Sequence, residues 1–181
     1  MIPILETERL LLRPFEQSDA EKVEQLAGHK KVAETTLLIP HPYPKGLALT
    51  WIASHQEQAS EGEAFIFAIV LKSNLELMGA MAIRVDEQHN RGELGYWVGV
   101  PYWGQGYCTE AANKVIEFGF EKLALNRLWA SVMTNNPASI KVMRKIGLNY
   151  EGIFPQHALK SGQYEDVEFY GLVKSQYLQK K

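Results

Sequence analysis

Two glycines near the middle of the chain mark the backbone segment best suited to bind a ligand. Gly104 and Gly106 stand in the stretch PYWGQGYCTEAA, between a β-rich run that ends near Val100 and an Ala-rich helical pattern. Backbone N–H groups in such a turn and at the start of the helix lack intrahelical partners, and the helix dipole adds partial positive charge. Glycine permits a positive φ and has no Cβ that would block an anion. The pattern therefore predicts a phosphate-binding turn.

The same glycines also fit an ordinary tight strand-to-helix turn that binds nothing, and the turn alone leaves both interpretations open. It is not a Walker phosphate loop, because no Gly-Lys-Ser/Thr follows. It is not a dinucleotide-binding G-x-G-x-x-G motif either, because Thr109 occupies the place of the third glycine. The flanking segments must therefore decide what the turn binds.

The elements that would position this turn follow from the hydrophobic pattern. Strands are predicted over 9–15, 64–72, 76–85, 92–100, 127–134, 148–154 and 166–174, and helices over 18–28, 47–60, 109–122 and 137–147. Three prolines make residues 32–44 a stiff, irregular loop. Hairpin-like strands in the middle and strand–helix units later predict one α+β domain over residues 1–181.

Composition narrows the classes of function. A chain of 181 residues with 46% hydrophobic and 22% charged residues is ordinary for a globular domain. A net charge of -2 argues against broad nucleic-acid binding. Cys108 is the only cysteine, which excludes an intramolecular disulfide and a cysteine-based metal site and suits the cytoplasm. The five histidines show no metal-ligand spacing, so we expect no metal.

The start of the chain does not look like a targeting segment. Glu6, Glu8 and Arg9 interrupt its apolar run, so it lacks the basic-then-apolar layout of a signal peptide. No apolar run reaches the length of about 18 residues that a membrane span needs. We therefore expect a cytoplasmic protein without a membrane partner, and its oligomeric state, including a homo-oligomer, stays open.

The flanks of the glycine turn carry a family resemblance. YWGQGYCTEA, preceded by GELGYWVGVP and followed by NNPASIKVMRKIGLNYEG, resembles the GNAT superfamily of N-acetyltransferases, and most closely its RimJ/RimL-type branch. The opening ETERLLLRPF and the closing YEDVEFYGL fit the same branch, so the resemblance covers nearly the whole chain. It implies a central, mostly antiparallel mixed sheet that splays into a V, flanked by helices, with acetyl-CoA as the cosubstrate bound in the opening.

The resemblance also implies which residues bind acetyl-CoA. Backbone amides of the turn would hold the pyrophosphate, the preceding strand edge would pair with the pantetheine amides, and an Asn after the next strand would contact the CoA arm. Gly99 would allow the close approach of pantetheine, and Pro101 departs from the usual Gln or Arg. Asn136 also fits a helix N-cap before Pro137. The implied cofactor-binding residues are Trp97, Val98, Gly99, Val100, Trp103, Gly104, Gln105, Gly106, Tyr107, Cys108 and Asn136.

Two side chains are catalytic candidates by the same resemblance. Glu93 matches the carboxylate that takes the proton of the amine, directly or through water, although it also fits a solvated strand residue. Many relatives carry a tyrosine as the acid that protonates the leaving thiolate, and here Met143 stands at that position. Ser139 matches the serine proposed as its substitute, although it also fits a hydroxyl that bonds the backbone of the first helical turn.

The implied function is transfer of an acetyl group to a primary amine, foremost a protein N-terminal α-amine, by direct attack in a ternary complex. The alternatives are a non-catalytic acyl-CoA-binding sensor and an acetyltransferase for a small-molecule amine such as a polyamine, antibiotic or metabolite. Since the cofactor motif does not need the Pro-rich loop or the helix near Trp51, we expect both to form the wall of the acceptor site.

Overall fold

A computed structural model describes residues 1–179 and contains one mixed sheet with helices on both faces. The strands are β1 (Leu5–Glu6), β2 (Leu10–Arg13), β3 (Ala64–Leu71), β4 (Glu76–Asp86), β5 (Arg91–Val98), β6 (Arg127–Met133), β7 (Asn149–Lys160) and β8 (Gln163–Val173). The helices are α1 (Ala20–Ala27), α2 (Lys30–Glu34), α3 (Leu47–Ala53), α4 (His55–Ser60), α5 (Tyr107–Glu121), α6 (Pro137–Lys145) and α7 (Lys174–Gln179). The mixed α/β architecture that the sequence implies is confirmed.

The eight strands lie in the order β1-β2-β3-β4-β5-β6-β8-β7. Among the pairings of residues 1–179, β5–β6 alone is parallel, and α5 makes the crossover between these two strands. The pairing is short, because it joins only Arg91, Gly92 and Glu93 to residues 127–129. Beyond that point the sheet opens into the V that the resemblance implies.

Most predicted elements are present, and several bounds differ from the prediction, among them that of β7, which runs to Lys160. The helix expected over 47–60 is two helices, α3 and α4, that meet at Ser54. The strand expected over 92–100 ends at Val98, because a 3-10 turn begins at Val100. Strand β1 and the helices α2 and α7 were not among the expected elements. Helix α2 includes the first residues of the segment 32–44, which was expected to be an irregular loop throughout.

Each face of the sheet carries its own apolar cluster. On one face α5 and α6 pack on alternate side chains of the central strands, for example Met81, Ile83 and Leu94. Gly119 lets α5 come close, because a Cβ there would lie 3.0 Å from atoms of Ile83 and Leu128. On the other face α1 and α3 pack on the intervening side chains, which include Ala80, Ala82 and Trp97. Successive side chains along β4 and β5 point to opposite faces of the sheet, and this alternation decides which face each of them reaches.

Across the part of the chain that the structure describes, no helix combines the length and the apolar character needed to cross a bilayer.

His55 is buried in an aromatic cluster without a hydrogen bond. The side chain is 3% exposed, and neither ring nitrogen has a partner within residues 1–179. The rings of Trp51 and Phe15 contact it edge-on, with centroids 4.4 and 5.4 Å away. Burial lowers the pKa of His55 from 6.5 to about 4, because the apolar surroundings disfavour the charged imidazolium.

This burial predicts a loss of stability in mild acid. The unfolded chain binds the proton of His55 more tightly than the folded chain, so the free energy of unfolding falls as the pH drops from 6.5 toward 4. At about 1.4 kcal/mol per pKa unit, the loss between pH 7 and pH 4.5 is about 2 kcal/mol. We expect His55→Leu to lack this part of the pH dependence in urea denaturation at the two pH values.

The exposed His89 supplies the control, and His89→Gln should keep the wild-type pH dependence. An unchanged pH dependence in His55→Leu would contradict the account of His55.

Candidate active site

The opening between β5 and β6 exposes two strand edges toward each other. After Glu93 and Trp129 the two strands no longer pair. The rest of β5, residues 94–98, therefore keeps β4 as its neighbour on one edge and faces the gap with the other. Each backbone group on that edge still needs a hydrogen-bond partner, which makes the gap suited to an extended ligand.

The alternation of β5 identifies the backbone groups that face the gap. In an antiparallel pair, directly opposed residues alternate between bonding each other and facing away. Gly99 donates its N–H to Met78 O at 2.8 Å, so Trp97 also faces β4 whereas Tyr96 and Val98 face the gap. The carbonyl of Val98 accepts a 2.6 Å hydrogen bond from Nε1 of Trp103. The N–H groups of Tyr96 and Val98 thus remain for a ligand.

This geometry corrects two sequence expectations at the end of the strand. Gly99 does not extend the available edge, because its N–H is bonded to β4, and Val100 lies beyond the strand as the first residue of a 3-10 turn. The close approach that Gly99 permits is that of helix α1, since a Cβ there would lie 2.8 Å from Leu26 Cδ2. The strand edge itself therefore ends at Val98.

The glycine turn has the geometry that the sequence predicts. Gly104 and Gly106 adopt φ values of 76° and 82°, and a Cβ on Gly104 would meet nothing within 4 Å. Helix α5 begins at once, with its first backbone bond from Glu110 N to Gly106 O. The N–H groups of residues 104–108 have no partner within residues 1–179, but Trp103 donates its N–H to Val100 O. The run of N–H groups without a partner therefore starts at Gly104 and not at Trp103.

Arg9, which the sequence did not single out, lies against this turn. Its Nη1 donates to Gln105 O at 3.0 Å, and its guanidinium stacks on the Tyr107 ring, 4.5 Å from the centroid. Its Nε bonds the carboxylate of Glu110 at 2.7 Å. A fixed positive charge beside a row of N–H groups strengthens a site for a pyrophosphate.

Glu110 ties the N-terminal strands to the first turn of α5. Its Oε1 accepts hydrogen bonds from the Thr7 hydroxyl at 2.6 Å and from the Arg9 N–H at 2.8 Å. Partial burial would raise the pKa of Glu110, but the hydrogen bonds from Thr7 and Arg9 outweigh it and lower the pKa. The turn is thus held in place by a carboxylate that also favours the helix N-terminus.

A cavity of about 650 Å³ passes through the opening of the sheet. On the face of α1 and α3 its walls include Trp51 and the loop of residues 35–40, and on the face of α6 they include Asn136, Ser139 and Met143. The cavity therefore gives access to the edge of β5 from both faces. The Pro-rich loop and Trp51 do line it, as the acceptor-wall hypothesis requires.

Glu93 and Arg84 lie side by side at the α1 face of this cavity. They are directly opposed on β5 and β4, and both line the cavity. Glu93 is half-buried, and burial raises the pKa of its carboxyl, an effect that the charge of Arg84 partly offsets. A carboxylate with a raised pKa is suited to accept a proton.

Asn136 and Ser139 lie on the opposite side of the opening, at the start of α6. Asn136 Oδ1 accepts the N–H of Ser139 at 3.1 Å, which confirms the predicted N-cap, and its Nδ2 donates to Thr35 O at 3.0 Å. The Ser139 hydroxyl lies 2.6 Å from the hydroxyl of Tyr96, a residue that the sequence did not single out. Burial raises the pKa of Tyr96 strongly, so its phenol stays protonated.

Cys108 lacks the properties of a catalytic nucleophile. Burial raises the pKa of its thiol to about 12, so the reactive thiolate is scarce at neutral pH. Its neighbour Tyr107 forms the first residue of α5, and the backbone amides of both residues face out of the helix start.

Comparison with known proteins agrees with this geometry. The profile of the acetyltransferase (GNAT) domain matches residues 9–149. The uncharacterized N-acetyltransferase p20 of Bacillus licheniformis is 32% identical over 174 residues, which cover 96% of this chain and 97% of the relative.

Two further proteins show how widely the acceptor varies among similar proteins. The spermidine N(1)-acetyltransferase of Escherichia coli strain K12 is 27% identical over 92% of this chain and 87% of the relative. The solved structure of RimL, a ribosomal L7/L12 α-N-protein acetyltransferase in complex with coenzyme A, superposes with a TM-score of 0.87. It is 18% identical and covers 94% of this chain and 98% of that chain, so it supports the fold alone.

Proposed function

The chain belongs to the GNAT acetyltransferase family, and we propose that it moves the acetyl group of acetyl-CoA to the α-amine of a protein N-terminus. Its activity as an N-acetyltransferase that uses acetyl-CoA follows from the family. The observation that carries the finer proposal is Glu93, one carboxylate with a raised pKa at the acceptor face of the opening. Such a carboxylate can accept the proton of an amine with a low pKa, which loses its proton easily.

Acetyl-CoA enters the opening between β5 and β6 in this proposal. The amides of residues 104–108 and the guanidinium of Arg9 hold the pyrophosphate. The pantetheine arm runs along β5. There the N–H group of Tyr96 binds an amide carbonyl oxygen of the arm, and the N–H group of Val98 binds the carbonyl oxygen of the thioester. Asn136 contacts the arm from α6, on whose side it lines the cavity.

The reaction then proceeds by direct attack of the neutral amine. The amine nitrogen bonds to the thioester carbon, the N–H group of Val98 stabilises the oxyanion, and the C–S bond breaks. Glu93 accepts the proton of the amine, directly or through water. Ser139 donates its proton to the departing thiolate, and Ser139 and Glu93 return to their starting protonation states by exchange with solvent after the products leave. The Tyr96 hydroxyl, 2.6 Å from that of Ser139, stays protonated and orients Ser139 by a hydrogen bond. The Tyr96–Ser139 pair thereby does the work of the tyrosine that Met143 replaces.

The strength of the base favours an α-amine. An α-amine has a pKa of about 7.7–8.0 and a lysine amine of about 10.4, so at neutral pH the lysine costs about 3.4 kcal/mol more to deprotonate. A single carboxylate, even with its pKa raised by burial, is a weak base that suits the first amine better than the second. The similarity to a spermidine acetyltransferase keeps a small-molecule amine as the second candidate.

The glycine turn gives the first prediction on function. Gly104→Glu places a carboxylate where the pyrophosphate binds, and like charges about 4 Å apart repel by about 1–4 kcal/mol. We therefore expect the Kd for acetyl-CoA, measured by calorimetry, to rise at least about tenfold.

Gly62→Glu is the matched control, because Gly62 also has a positive φ, 78°, and open space around it. It should lose similar stability but keep the wild-type Kd. Wild-type affinity in Gly104→Glu would overturn the cofactor assignment of the turn.

The catalytic assignments predict slow turnover with intact cofactor binding. Glu93→Gln cannot accept the amine proton, and Ser139→Ala cannot protonate the thiolate. Each should lower kcat by about 10²-fold or more with the true acceptor while the Kd for acetyl-CoA stays within about twofold. Thiol release with N-terminal peptides measures kcat.

Exposed residues on strand turns supply the controls. Glu87→Gln and Ser73→Ala make the same chemical changes outside the cavity and should retain wild-type kcat. Full activity in both Glu93→Gln and Ser139→Ala would show that neither residue has the proposed role.

A further inference from the structure

We propose that Arg84 binds the carbonyl or carboxylate oxygen of the acceptor, which makes the site selective for α-aminoacyl groups that carry an apolar side chain. The inference rests on the proposed function, because it names the chemistry that the acceptor presents beside Glu93.

The first observation is the position of Arg84. It is directly opposed to Glu93 in the register of β4 and β5, so both side chains leave the same face of the sheet. Its Nη1 lies 3.7 Å from the point where a Cβ on Gly95 would be, so the guanidinium extends over Gly95 toward the opening. The absence of a side chain at Gly95 leaves room for the guanidinium to lie there, next to the cavity.

The second observation is that Arg84 forms no hydrogen bond or salt bridge with the described residues, although its charge acts on the neighbouring Glu93. The structure gives its guanidinium no hydrogen bond and no salt bridge within residues 1–179, and its side chain is exposed at the cavity. The other arginine of the same hairpin, Arg91, is paired with Asp86 at 2.9 Å. A guanidinium offers a planar fork of donors that suits the oxygens of a carboxylate or carbonyl.

The third observation is the balance of charge in the cavity. Among the described residues that line it, Glu93 is the one acidic side chain and Arg84 the one basic side chain. A polyamine carries several positive charges, and here it would meet one carboxylate and a repelling guanidinium. An α-aminoacyl group carries its nitrogen and its oxygen close together, and so matches the adjacent pair.

Most of the rest of the wall on the same face is apolar. Leu37, Ile39, Leu47, Trp51 and Ile66 line the cavity there, and Thr35, Thr36 and Tyr43 add neutral hydroxyl groups. The apolar residues would bury the side chain of the acceptor residue, and this wall offers no charged partner to a second charged group. The loop that carries Leu37 and Ile39 is held by Lys160, whose Nζ donates to Ile39 O at 2.9 Å.

The test compares acceptors that differ in the oxygen next to the amine. Wild-type enzyme is assayed by thiol release with L-leucine, with a peptide that begins with leucine, with 3-methylbutylamine and with spermidine. We expect kcat/KM for leucine or the leucine peptide to exceed that for both other amines by at least about tenfold. Preference for the peptide is the result that the proposed function predicts, whereas preference for free leucine would overturn the protein N-terminus as the acceptor and leave the role of Arg84 intact.

The Arg84→Met variant then tests the residue itself. Loss of a charge-assisted hydrogen bond predicts a rise of about 10- to 100-fold in KM for the preferred acceptor, with little change in KM for acetyl-CoA or in activity toward 3-methylbutylamine. Arg84→Lys should recover part of the loss, and Arg91→Met should behave as wild type.

The possible failures are distinct. Acetylation of leucine compounds with unchanged KM in Arg84→Met would overturn the role of Arg84 and leave the proposed function intact. Wild-type preference for spermidine would overturn both the α-amine acceptor and this inference.

Discussion

The site depends on one feature of the sheet, namely that the parallel pairing of β5 and β6 stops after three residue pairs. If the pairing continued, the backbone N–H and C=O groups of the two strands would bond each other and leave no room for a ligand. Because the strands part, β5 keeps N–H groups that face a gap, and α6 begins beside it with Asn136 and Ser139. The helix that makes the crossover, α5, starts at the glycine turn and so brings its N-terminus to the same opening.

The alternation of side chains along β5 then divides the chemistry between the two faces. Glu93, Gly95 and Trp97 belong to the face of α1 and α3, whereas Tyr96 belongs to the face of α6, where its hydroxyl meets Ser139. The proposed proton acceptor, Glu93, and the proposed proton donor, Ser139, are thereby held on opposite sides of one strand. In the proposed reaction the amine arrives from the first face and the thiolate is protonated on the second, so neither group obstructs the other.

Local features of this site could be predicted from the sequence, and contacts between distant segments could not. Gly104, Gly106 and the cap at Asn136 follow from turn and helix rules that act over a few residues. Arg9 and Gln105 are 96 positions apart, and Tyr96 and Ser139 are 43 apart, so only the folded sheet brings each pair together. The prediction for Gly99 was wrong in another way. This glycine was expected to allow the close approach of a ligand, but in the structure it allows the close packing of helix α1.

The central claim is that acetyl-CoA completes the unpaired edge of β5, and amide hydrogen exchange followed by NMR tests it most directly. Binding of acetyl-CoA should slow the exchange of the Tyr96 and Val98 amides, which face the gap, by at least about tenfold. The Trp97 and Gly99 amides already face β4 and should change little. Saturating acetyl-CoA without slower exchange at Tyr96 and Val98 would contradict the account.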